Sequence, residues 1–136
     1  MGRVFFDTKK NIVDVTAAKV LKNSDSGTTF IIDQTSGAYE ITLPLMSTID
    51  RGWNAEFIIG TVAANAVTIA NNTAEDTIVG GVAGADGGAA THAETAVDEI
   101  VFISGAQLGD RVTIVSNGVN YFVSGYAADV AHITVS

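Results

Sequence analysis

The residues best suited to chemistry are few and scattered along the chain. His92-Ala93-Glu94 has the H-x-E spacing with which zinc deaminases place a metal ligand beside a general acid/base, but two thiolates complete that site. The chain has no cysteine, so His92 reads as a loop residue. His132 lies forty positions further on, with no third ligand positioned by spacing, and reads as a solvated strand histidine. Ser104, in Ile103-Ser104-Gly105, has neither the G-x-S-x-G elbow of an activated serine nor an assigned base. Asp98 and Glu99 alternate across a candidate strand, so they face opposite sides and cannot form a glycosidase pair. The run from Gly80 to Gly88, GGVAGADGG, lacks the Lys-Ser/Thr ending of a phosphate loop and the G-x-G-x-x-G spacing of a dinucleotide turn. It is also only one imperfect copy of a calcium-binding nonapeptide. From Gly80 to Thr95 it reads as a flexible surface loop, with a helical turn conceivable over Ala89 to Ala96. No catalytic, cofactor-binding or metal-binding residue is assigned, no cofactor is expected, and the expectation is a protein that is not an enzyme.

Charge is distributed unevenly. Residues 1–22 hold Arg3, Lys9, Lys10, Lys19 and Lys22 against Asp7 and Asp14, a net +3, whereas residues 23–136 hold two arginines against thirteen carboxylates, a net −11. An acidic body repels phosphate and the basic segment offers few contacts, so nucleic acid is not an expected partner. No apolar run reaches the roughly 18 residues of a spanning helix, and MGRVFFDTKK lacks the apolar region and cleavage pattern of a secretory signal. The expectation is a soluble chain made in the cytoplasm, with no membrane partner.

The elements that must position these residues are strands. The chain has 136 residues and one proline, is rich in Gly, Ala, Thr and Val, and is poor in the residues that fill surface helices. Candidate strands are Thr28–Asp33, Tyr39–Leu43, Trp53–Gly60, Ala66–Ala70, Thr77–Gly80, Asp98–Ser104, Asp110–Ser116, Val119–Gly125 and Ala131–Val135. Asn117-Gly118 reads as a two-residue hairpin loop, which pairs Ser116 with Val119 and Ile114 with Tyr121. Val112, Ile114, Tyr121 and Val123 then share one face, with Thr113, Val115, Asn120 and Phe122 on the other, so both faces are partly apolar. Short strands at regular spacing predict an all-β single domain, an antiparallel β-sandwich or barrel over residues 25–136. Residues 1–24 read as an extended N-terminal arm, ordered on a partner and removable without unfolding the body.

The order of several motifs carries a resemblance. Ser26-Gly27-Thr28-Thr29-Phe30, Tyr39-Glu40-Ile41-Thr42-Leu43-Pro44, Phe57-Ile58-Ile59-Gly60-Thr61, Asp98-Glu99-Ile100-Val101-Phe102, Gly109 to Gly118 and Tyr121-Phe122-Val123-Ser124-Gly125 resemble small structural proteins of tailed bacteriophages. Capsid decoration, or cement, proteins are the nearest in kind, and the resemblance spans about residues 16–125. It implies a non-enzymatic virion component, synthesised in the host cytoplasm, that binds the outer capsid surface and stabilises the shell. Its implied partners are the major capsid protein and further copies of itself, as a homotrimer. By that analogy Arg3, Lys9, Lys10, Lys19 and Lys22 form a capsid-docking arm, and Trp53, Phe57 and Tyr126 are candidate subunit contacts. The alternative is a tail or head fibre module for host-surface recognition, with the Gly80–Thr95 loop as its contact surface. Neither a heptad nor a triple β-helix repeat is visible in the sequence.

Overall fold

A computed structural model describes residues 9–34, 37–72 and 75–136. Two sheets pack face to face into an all-β sandwich. The larger has the order β1 (Asn11–Val15), β3 (Thr28–Ile32), β5 (Asn54–Ile59), β10 (Arg111–Ser116), β11 (Tyr121–Ala127), β7 (Ile78–Gly84) and β8 (Thr91–Val97). The smaller has the order β12 (Ile133–Val135), β9 (Glu99–Phe102), β6 (Val67–Ala70), β4 (Tyr39–Thr42) and β2 (Lys19–Val20).

The sheets are mixed, which corrects the antiparallel expectation. From β1 to β6 the chain crosses between the sheets at every step, so β1, β3 and β5 lie parallel in one sheet and β2, β4 and β6 lie parallel in the other. The result is a coil of three turns whose core-facing residues stack: Val15 beside Ile32 and Ile59, and Ile41 beside Ile69. The remaining strands add antiparallel pairs, except that β11 runs parallel to β7.

Residues 11–15 and 19–20 are extended, but they form the first turn of this coil and do not stand off from a body beginning at residue 25. Val15 and Leu21 are buried at 3% and 2% exposure, and the Leu21 N–H donates to the Thr42 carbonyl at 2.9 Å. Apolar residues spread evenly from Ile12 to Leu21 fit an edge strand as well as a free arm or a short helix, and burial decides for the strand.

Aromatic pairs anchor the interior. Phe30 and Phe57 are neighbours in register on β3 and β5 and stack at 5.2 Å. Trp53 meets Tyr121 edge-on at 5.8 Å. Their polar tips are satisfied, with Trp53 Nε1 donating to the Lys22 carbonyl at 3.1 Å and the Tyr121 hydroxyl to the Pro44 carbonyl at 2.7 Å, as buried Trp and Tyr require. Burial pushes the Tyr121 phenol well above its usual range, with Glu75 adding to the effect. Tyr39, whose hydroxyl donates to the Val15 carbonyl, is pushed up to about 12 by burial and then by Asp33.

The last hairpin keeps its expected faces but not its register. Ser116 pairs with Tyr121 and Ile114 with Val123, two positions on from the expected pairing. The tight loop is therefore Gly118-Val119, closed by the Asn117 N–H bond to the Asn120 carbonyl at 3.2 Å, and Gly118 carries a left-handed φ of 91°. Asn117 also serves as an acceptor, its Oδ1 receiving the N–H groups of Val119 and Asn120 at 2.8 Å each, an Asx turn. A shift of two leaves every side chain on its original face.

The Gly80–Thr95 segment is mostly strand, and only residues 85–90 form a loop. Gly80 to Gly84 continue β7, and Thr91 onward is β8, in place of the helical turn considered there. Glycine is needed because β7 is squeezed between β11 and β8: a Cβ on Gly80 would collide with the Val123 carbonyl oxygen, and one on Gly81 with that of Thr91.

Candidate functional site

The described lysines gather on one flank of the sandwich. Lys9 and Lys10 lead into β1, Lys19 lies in β2, and Lys22 caps the short 3-10 turn after it, where its N–H donates to Asp25 Oδ2 at 2.8 Å. Because β1 and β2 are the outermost strands of their respective sheets, all four line the open end of the coil. Lys10 reaches across β3 to Glu56 at 3.3 Å, an exposed pair of little energetic weight. Arg3 lies outside the described residues.

The expected subunit contacts divide. Trp53 and Phe57 are 2% and 0% exposed; they fill the chain's own core and present no surface to a neighbour, which corrects that assignment. Tyr126 is different. It stands 49% exposed on the outer face of the larger sheet, beside Arg111 in register. On the same face Val115 and Phe122 form a cross-strand pair, 45% and 43% exposed, with the half-buried Val79 next to Phe122. Alternation explains the face: the odd residues of β10 and the even residues of β11 point outward, whatever their polarity.

His132 lies in the 3-10 turn before β12 with its side chain mostly buried, in place of the solvated strand position expected. Its Nδ1 lies 2.8 Å from Asp110 Oδ2, and Asp110 is 2% exposed. A carboxylate only accepts, so the imidazole donates from Nδ1. The same carboxylate accepts the Gln107 N–H through Oδ2 and the Ala128 N–H through Oδ1, each at 2.8 Å. Asp110 thereby ties the β9–β10 loop, the segment after β11 and the 3-10 turn before β12 into one knot. Twenty-two residues separate Asp110 from His132, too far for spacing to disclose the pair. The only local signal was Gly109-Asp110 before a strand, where aspartate commonly accepts from the turn backbone.

Asp110→Ala is expected to lower stability by about 3 kcal/mol, because three part-buried hydrogen bonds, from the Gln107 and Ala128 N–H groups and the His132 ring, lose their shared acceptor at about 1 kcal/mol each. Denaturant titration measures it, and a loss below about 1 kcal/mol would show that water takes over the carboxylate's role.

His92 is exposed on β8, and Ser104 donates to the Ala64 carbonyl at 3.0 Å. Among the described residues no group of three His, Cys, Asp or Glu is placed to hold a metal ion. Five carboxylates, Glu40, Glu75, Asp76, Asp98 and Glu99, surround one concavity beside the smaller sheet. The molecule thus has a basic edge, an acidic flank and a partly apolar sheet face. These are features of association. No protein-family profile matches the chain, and no curated protein matches it.

Proposed function

We propose that this chain is a structural component of a tailed-phage virion, a decoration protein that binds the outer surface of the capsid shell and stabilises it. The observation that supports the reading is the outer face of the larger sheet, where Val115, Phe122 and Tyr126 on the central strands β10 and β11 remain about half exposed. A sheet face with exposed apolar side chains at its centre and charge toward its border suits a protein partner. The major capsid protein and further copies of this chain, as a homotrimer, are the partners the reading names. Stabilisation follows from mass action, because a protein that binds only the mature shell shifts the equilibrium toward it.

Co-sedimentation with expanded, decoration-free shells tests the reading. Wild-type protein should pellet with shells, and Phe122→Asp combined with Tyr126→Asp, both at exposed positions, should weaken binding at least about tenfold without unfolding the chain. Retained binding by that variant would remove the sheet face from the mechanism. Antibody label confined to the tail of purified virions would replace decoration by a second reading, a fibre module. The three-turn parallel coil favours that alternative, since stacked coils suit elongated assemblies.

A further inference from the structure

The coil leaves strand edges whose backbone polarity can be read from their hydrogen bonds. The Val15 carbonyl accepts from Asp33, so Asn11, Val13 and Val15 turn their N–H and C=O groups toward β3, while Ile12 and Asp14 turn theirs away from the sheet. By the same logic the Leu21 N–H bond to Thr42 leaves the Val20 groups outward. Ile12 and Val20 are 59% and 61% exposed. At the other end of the larger sheet, β8 is the outermost strand.

Charge decides which edges can meet. Lys19 is in register with the fully buried Ile41, so a charge occupies the core-facing row at the open edge. Edge lysines and inward-pointing charges deter indiscriminate edge pairing, and lysines repel a basic edge while favouring an acidic one. Two β1 edges brought together would set lysines against lysines. The β8 edge is the opposite: Glu94 is exposed on it, Asp98 and Glu99 follow, and no Lys or Arg occurs between residues 52 and 110.

We propose that the chain self-associates head to tail, β1 of one copy pairing with β8 of the next, so that the larger sheet continues across the interface and the lysine-bearing edge meets the Glu94-bearing edge. The contact is heterologous, and it generates a closed ring or an open filament according to the rotation between copies. It holds for the free chain and needs no capsid.

Sedimentation velocity on the full chain from about 1 to 100 μM tests the pairing. The wild type should associate in a concentration-dependent manner. Two charge-swapped variants separate this mode from others: one carries Lys9→Glu, Lys19→Glu and Lys22→Glu, with Lys10 left on Glu56, and the other carries Glu94→Lys and Thr95→Lys. Each alone places like charges on both edges and should sediment as a monomer, whereas their equimolar mixture should recover association. Ile12→Pro removes an outward N–H without touching the β3 pairing, and it should also abolish association while Ile12→Thr does not. A wild type that stays monomeric throughout overturns the proposal. So does a single swapped variant that associates like wild type, a mixture that fails to recover, or association that survives Ile12→Pro.

Discussion

Removal of residues 1–22 is expected to unfold the domain. The truncation deletes β1 and β2, the edge strands of both sheets, and with them the buried side chains of Val15 and Leu21. Full burial of each is worth about 1.5–3 kcal/mol. It also leaves two acceptor-less donors, the Trp53 indole N–H that bonds the Lys22 carbonyl and the Tyr39 hydroxyl that bonds the Val15 carbonyl, at about 1–3 kcal/mol each. Together these losses are comparable to the 5–15 kcal/mol that holds a domain of this kind together. Thermal melting followed by circular dichroism measures the outcome, and the truncated chain should show no cooperative transition. A cooperative melt within a few degrees of the full chain would mean that residues 1–22 are a detachable arm after all. Capsid binding by a truncated chain therefore cannot separate docking from folding. Replacing Lys9 and Lys22 by Gln in the full chain can, since both are exposed and the change removes charge while leaving the core intact.

Gly80→Val should lower stability by about 4 kcal/mol or more, beyond what most single substitutions cost. Two independent penalties meet at this residue. Its φ of +123° is a conformation that a β-branched side chain rarely adopts, and its Cβ would collide with the backbone oxygen of Val123 on the parallel neighbour. The three nearest atoms all belong to the Val123 backbone, so no flexible side chain is there to yield. Relief requires β7 to part from β11. Gly118 offers the contrast, because its φ is also left-handed but the nearest atom to an added Cβ is Arg51 Cβ at 3.9 Å, so Gly118→Val should cost less than Gly80→Val. Denaturant titration of the two variants side by side decides the ranking, and equal losses would mean that the close approach of β7 to β11 contributes nothing.

Alternation within short segments was legible from residue types alone, because it depends only on the period of the strand. That is why Tyr39–Thr42, Asn54–Ile59, Val67–Ala70, Glu99–Phe102 and Arg111–Ser116 lie close to their expected limits, and why the hairpin faces survived a shift of register. The all-β class follows from the same local preferences, and so does the separation of charge between residues 1–22 and the rest. What depended on distant partners was not legible. The coil has no fixed period: Val15 stacks on Ile32 seventeen residues later and Ile32 on Ile59 twenty-seven later, so no self-similarity marks its turns. The second half of β7 looks like a loop because Gly80, Gly81 and Gly84 are chosen for the space between neighbouring backbones and not for strand propensity, and β8 (THAETAV) because it is poor in large apolar residues. Trp53 and Phe57 are apolar whether they meet a second subunit or their own core, and only the packing of the two sheets assigns them inward. The sequence by itself determined strand content, face by face, and the sign of charge along the chain, which are properties of neighbouring residues. Tertiary structure decided parallel against antiparallel pairing, the incorporation of residues 11–21 into the sheets and the Asp110–His132 knot, because each is settled by groups brought together across the fold and by the burial that follows.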